Sequence, residues 1–160
     1  MYLNASYSPS SVVSGTGDIK IGAINYMSFD NGMVNSNQIE NNLLYSVYLD
    51  EDVSKYFRNA IISEFKNSGF SVGSSERILS GNIRTLKYDD NAITEKRRWA
   101  LTVDYSLRSE NMKFSTVEVT IGTDMNTMMR NDQSTVLNKL IRMSYDDLLN
   151  QSEIYDLLTN

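Results

Sequence analysis

The sequence predicts an α+β fold, a largely antiparallel sheet of about four strands with two main helices packed on one face, in the order β-(β)-α-β-β-β-α. Three observations predict it. Residues 50–70, DEDVSKYFRNAIISEFKNSGF, carry one apolar stripe at helical spacing between an acidic start and a glycine stop. Residues 98–108, RWALTVDYSLR, alternate apolar and polar with period two, and residues 112–123 do so again after a short polar gap. A second amphipathic pattern begins near Asp132.

Taken in order, Ser6–Gly17 is rich in Ser and Gly and holds the only proline, Pro9. So little of it can be buried that ordering it carries a net entropic cost, which predicts a flexible N-terminal tether over 1–16 and a single domain over 17–160. Asp18–Met27 is the first strand. Ile19 and Ile21 share one parity while Ile24 and Tyr26 share the other, which predicts either that both faces are partly covered or that a bulge falls near Gly22. Ser28–Asn42 is Asn-rich, with Asp30-Asn31-Gly32 as a turn. Leu43–Leu49 is a possible strand with Leu43, Tyr45, Val47 and Leu49 on one face.

The helix follows. Asp50 or Asp52 is placed to cap its first turn, and the acidic cluster Asp50-Glu51-Asp52 suits its positive end. Val53, Phe57, Ala60, Ile61 and Phe65 form the stripe, whereas Lys55, Arg58, Asn59 and Glu64 lie off it. Gly69 supplies a left-handed stop and Phe70 folds back on the last turn. In Ser75–Asp89, Leu79 and Ile83 have one parity and Leu86 and Tyr88 the other, so a bulge between them or a bend near Gly81 is expected. Asp89-Asp90-Asn91 reads as a turn. Trp99, Leu101, Val103, Tyr105 and Leu107 face the core from the next strand, and Val117, Val119 and Ile121 from the last, opposite Phe114, Thr116, Glu118 and Thr120. Met125, Met128 and Met129 precede the second helix, read as packing filler or contact surface. Asp132 is placed to cap that helix, with Val136, Leu137, Leu140, Ile141, Leu148 and Leu149 as its stripe. Ser152–Leu158 continues it or adds a short helix.

Composition excludes several chemistries. The chain has no cysteine and no histidine, so it offers neither thiol catalysis nor thiolate zinc, and it lacks the commonest general base and transition-metal ligand. The expectation is a non-enzyme without cofactor or metal. No glycine-rich phosphate loop and no G-x-S-x-G turn occurs. The acidic pairs Asp89-Asp90 and Asp146-Asp147 read as solvated surface. With 160 residues and a net charge of −5, nucleic acid is not the expected partner. No apolar run approaches the ~20 residues of a membrane-spanning helix. Local cations are the remaining contact candidates: Arg84, Lys87, Lys96, Arg97, Arg98 and Arg108, of which Arg84, Lys87, Arg98 and Arg108 are expected on one sheet face, suited to a protein partner, anionic lipid or lipopolysaccharide.

The strand IKIGAINYM, the helix ending in Ala60-x-x-x-Glu64-Phe65-x-x-x-Gly69-Phe70, the phrase Leu79-x-Gly81-x-Ile83 and the W-x-L-x-V-x-Y-x-L strand appear in one order over 18–150. This arrangement resembles small periplasmic lipoproteins of Gram-negative bacteria: the YajG-type proteins, the auxiliary lipoproteins of ABC-type transport systems and the lipopolysaccharide-assembly lipoprotein. The resemblance implies a lipid anchor on a cysteine upstream of Met1, a Ser-rich tether and a periplasmic, outer-membrane-anchored domain that binds a protein or lipid. It carries no catalytic residue onto this chain. The competing expectation is a structural subunit of a secretion, flagellar or phage-like assembly, packing through an edge strand or the Met-rich segment.

Overall fold

The computed structural model describes residues 1–44, 46–91, 93–124 and 132–159. The expectations placed on Tyr45, on Met125, Met128 and Met129, and on the Asp132 side chain lie outside the described residues.

Three long strands, β6 (Ile78–Asn91), β7 (Lys96–Arg108) and β8 (Met112–Asp124), form an antiparallel meander. Beside the first half of β6 lies β2 (Asp18–Tyr26), and beside its second half β3 (Gln38–Asn41), both parallel to it. Short strands complete an eight-stranded mixed sheet: β1 (Tyr2–Leu3) and β3 pair with β4 (Val47–Leu49), and β5 (Ser71–Val72) pairs with β2. The helices are α1 (Met27–Asp30), α2 (Val53–Ser68), α3 (Asp132–Leu149) and α4 (Ser152–Thr159). The α+β class stands, but the expected four-stranded, largely antiparallel sheet understates the fold. The chain crosses from β2 to β6 through a helix, and such a crossover returns it in the same direction, hence parallel pairing. Strands of two to four residues are too short to display an alternation.

The bulges fall where the parity switches require. The β2–β6 register shifts between Ile21 and Ile24, and the β6–β7 register between Ile83 and Thr85. The first shift leaves carbonyls exposed, and Arg58 fills them, donating from Nη2 to Ile21 O at 2.7 Å and from Nε to Gly22 O at 3.1 Å. Asp89-Asp90-Asn91 is strand rather than turn, because all three pair with β7. Asn91 still shapes the hairpin, its Oδ1 accepting from the Ile93 and Thr94 amides.

The inner face carries the core. Trp99, Tyr26, Tyr105, Tyr145, Phe57 and Phe65 are among its largest buried side chains. Phe65 meets Phe70 and Tyr145 edge-on at 5.2 and 5.0 Å between ring centres, and Tyr88 lies against Trp99 at 4.9 Å. These geometries suit aromatic quadrupoles. Several buried polar side chains pair with one another: Trp99 Nε1 donates to Gln133, Tyr105 shares a hydrogen bond with Ser144, and Tyr145 with Ser68.

The start of α2 departs from expectation. Asp52 occupies the cap position, and its backbone carbonyl accepts from the Tyr56 amide, but its side chain does not bond the helix; the carboxylate accepts from Ser36 Oγ at 2.6 Å, and the Val53 amide donates to Ser36 O. The acidic residue ties down the Asn-rich connection instead. The helix stop is as expected, with Gly69 left-handed at φ 109° and the Phe70 amide on Phe65 O.

Glu64 is the larger surprise. Expected off the stripe, it is fully buried. Its carboxylate accepts from Tyr7 Oη at 2.9 Å and from the Ser10 and Ser11 amides at 2.9 and 3.0 Å. Around this point the N-terminal segment is pinned along α2, α3 and α4: Ser11 Oγ donates to Asp146 at 2.6 Å, Asn138 to Ser6 O, Asn67 to Ser11 O, and Tyr155 to Ser14 O. Residues 1–16 are therefore a packed arm and not the expected free tether. Polar side chains of the helices satisfy its backbone, which its own composition could not do.

Glu64→Ala strands the Tyr7 hydroxyl and the Ser10 and Ser11 amides and is expected to cost at least about 1–3 kcal/mol in urea unfolding, the range for a buried donor left without its acceptor. Limited proteolysis should then cut within 6–14, which the parent chain protects; an arm still protected would show that other contacts hold it.

The buried phenols set an alkaline limit. Burial raises Tyr7, Tyr26, Tyr105 and Tyr145 well above the ordinary range, for Tyr7 with Glu64 adding to the effect, and pushes Tyr56 up to about 12. Only the deprotonated phenol is charged, so the native state keeps protons that the unfolded chain sheds. This stabilisation is whole below the unfolded value of about 10 and is lost as pH rises from there through the native values. Ultraviolet titration should show these five phenols ionising with unfolding; five smooth titrations near about 10 in the folded chain would contradict their burial.

Candidate binding surface

Strand alternation gives β6, β7 and β8 a second face, opposite the one that α2 and α3 cover. Its rows cross from β6 through β7 to β8: Ser80, Ser106 and Phe114; Asn82, Asp104 and Thr116; Thr85, Thr102 and Glu118; Lys87, Ala100 and Thr120; Asp89, Arg98 and Gly122. Small side chains fill its middle, so the floor is shallow. At Gly22 a Cβ would come within 2.5 Å of Ser80 Oγ, so a larger residue there would need the Ser80 hydroxyl to rotate away.

A polar ladder runs across this face. Asn25 Nδ2 donates to Asn82 Oδ1 at 3.0 Å. The bulge after Ile83 turns Arg84 onto Asp104 in a two-point contact, Nε to Oδ2 at 3.1 Å and Nη2 to Oδ1 at 2.6 Å, and Thr116 Oγ1 donates to Asp104 Oδ1 at 2.7 Å. The Thr116 hydroxyl first, and Arg84 second, hold the Asp104 carboxyl below the usual carboxylate range.

The six cations singled out from the sequence do not gather into one patch. Arg84 is engaged by Asp104, Lys87 by Asp89 at 3.4 Å, and Arg97 by Asp90 at 3.4 Å. Arg97 and Asp90 share parity with Trp99 and Tyr88 and so sit on the helix side, away from Arg98. Lys96 and Arg98 are outward at the β6–β7 hairpin end, while Arg108 is outward at the far end of β7. Ten residues of strand separate Arg98 from Arg108, a span of about 33 Å. Among the described residues no group of three or more Asp and Glu is placed to hold a metal. Asp146 is used by Ser11 and Arg142.

The surface has a feature the sequence reading passed over. Phe114 is 77% exposed and Met112 50% exposed, side by side on the outward parity of β8. The signal is a large aromatic on the same parity of the strand as Thr116, Glu118 and Thr120. At the opposite end, an open cleft of about 400 Å³ lies between the sheet and the Asn-rich segment, lined by Met33, Gln38, Glu40, Leu43, Leu44 and Lys87. Asn42 closes its hairpin side by exchanging two hydrogen bonds with the Asp90 backbone at 2.8 and 2.9 Å.

No family model and no curated protein matches the chain. Solved structures do share its fold. Protein XCC0632 of Xanthomonas campestris, assigned to family DUF330, superposes with a TM-score of 0.69 at 10% identity, over 98% of this chain and 96% of that one. The hypothetical protein CT253 of Chlamydia trachomatis superposes with a TM-score of 0.56 at 9% identity, over 88% and 98%. An uncharacterised protein gives 0.52 at 8% identity, over 96% and 98%. At these identities the likeness is one of fold.

The Arg84–Asp104 contact is largely solvated, so a double-mutant cycle of Arg84→Ala and Asp104→Ala should return a coupling of about 0.5–1 kcal/mol that shrinks in high salt. A coupling that salt leaves unchanged would mean the pair is shielded from solvent.

Proposed function

We propose that this chain is a non-catalytic accessory domain of the bacterial envelope, of the lipoprotein kind, that holds a protein partner against the open face of its sheet. The observation that carries the reading is the asymmetry of that sheet. One face is sealed by α2 and α3, with its buried polar groups engaged in holding the fold. The other, among the described residues, leaves three long strands open, with small side chains along its middle, a polar ladder across it and cations at both ends. Such a face offers recognition without a reaction centre. The order of sequence motifs that resembles envelope lipoproteins supports the same assignment, and with it a periplasmic location and a lipid anchor upstream of this domain. The neutralised cations favour a protein over an anionic lipid surface, since Arg84 and Lys87 already face carboxylates.

The test places a photo-crosslinking residue at Ala100 or Thr102, in the centre of the open face, and at Lys55 on the exposed side of α2, in cells producing the native full-length protein. The expected outcome is an envelope protein crosslinked from the sheet positions and not from Lys55. Equal capture from both surfaces, or a cytoplasmic location, would overturn the proposal. Cosedimentation with phosphatidylglycerol vesicles but not phosphatidylcholine vesicles would transfer the site to lipid.

A further inference from the structure

Free sheet edges are normally kept from pairing by being short or bulged, by proline, or by an inward-pointing charge. The outer edge of β8 has little of this protection. The strand is 13 residues long, contains no proline, and pairs residue for residue with β7 without a register shift. Lys113 is the charge on its inward parity, and it sits at the start of the strand, drawn aside to Glu153 at 3.6 Å. Among the described residues no strand pairs with the outer edge of β8. Met112 and Phe114 stand exposed along it.

We propose that β8 pairs antiparallel with β8 of a second copy, about a two-fold axis at Val117, and so continues the sheet from one copy into the other. The register follows from the side chains. A centre at Glu118 would set that carboxylate against its own copy, and a centre at Thr116 would set Phe114 against Glu118; both are unfavourable cross-strand pairs. A centre at Val117 sets Met112 against Gly122, Phe114 against Thr120 and Thr116 against Glu118 on the outer face. On the inner face Ser115 meets Val119, and Val117 meets itself. Large residues then face small ones, no like charges oppose, and the strands overlap throughout 112–122. The contact is isologous and closes at two copies. It does not depend on the envelope assignment, because it uses the strand edge and not the centre of the open face.

Strand pairing alone buries less than the roughly 1,600 Å² of a standard interface, so the dimer should dissociate on dilution. Sedimentation of the whole chain over a concentration series should show a monomer–dimer equilibrium. Phe114→Lys should weaken it at least about tenfold, equivalent to about 1.4 kcal/mol, while leaving the circular dichroism unchanged. The chain lacks cysteine, so introduced thiols report cleanly. Val117→Cys should give a disulfide-linked dimer on mild oxidation. The outward pair Thr116→Cys with Glu118→Cys should do the same without touching the core, and Thr123→Cys should not. A chain that stays monomeric at its highest soluble concentration overturns the proposal. So does a dimer that the lysine does not weaken, or one that the 116/118 pair does not lock.

Discussion

The packing of the N-terminal arm onto the helices depends on the buried carboxylate of Glu64. It sits on α2 where that helix faces α3 and the N-terminal arm, and it draws three donors from the arm. A buried carboxylate is tolerable only when its lone pairs are filled. Here the filling comes from a segment with little apolar surface of its own, so each makes the other possible. The arm then covers α2 and α3 and passes the helix stop. The Gly15 amide donates to Ser68 O at 2.9 Å, and a Cβ on Gly69 would come within 2.6 Å of Gly15 O. Gly69 is thus required twice, by its left-handed φ and by the chain lying against it. The phrase Glu64-Phe65-x-x-x-Gly69-Phe70 is the place where helix, arm and core meet.

Two register shifts do comparable work for the sheet. Each inserts a residue that would break the ladder, and an arginine accompanies each shift. Arg58 reaches from α2 to the carbonyls at Ile21 and Gly22, fastening the helix to the parallel strand. Arg84 is the bulge residue itself and turns outward to Asp104. One arginine tightens the sealed face and the other organises the open one. The shifts also let β2 and β6 change which parity faces the core, so apolar residues of both parities are buried along each strand.

The long elements are legible in the sequence because periodicity is strong over ten or more residues. The stripe of α2 and the inward Trp99-to-Leu107 row are plain, and the two parity switches mark where β2 and β6 are irregular, with a bulge as one of two ways to reconcile each. Structure made by distant partners is not legible in this way. Glu64 and Asp52 look like surface acids until Ser11 and Ser36 are brought to them. The arm looks disordered because its own residues bury almost nothing; the helices supply its hydrogen bonds. β1, β3, β4 and β5 are too short to carry a pattern. Of the candidate contact residues, alternation alone separates Arg97 from Arg98, but the ion pairs of Arg84, Lys87 and Arg97 depend on the register between strands, which one sequence does not fix.

The division between the faces constrains where function can sit. On the inner face a substitution must preserve both packing and the hydrogen bonds threaded through it, as at Tyr105–Ser144 and Trp99–Gln133. On the outer face the side chains are small or solvated, and their removal costs little beyond weak surface pairs. That face can change without unfolding the domain, which is what a recognition surface needs and what a core forbids. Phe114 stands out against this background. An aromatic left exposed among threonines and serines gains nothing for the isolated fold and leaves apolar surface in water. Its position beside an unguarded strand edge gives that surface somewhere to be buried.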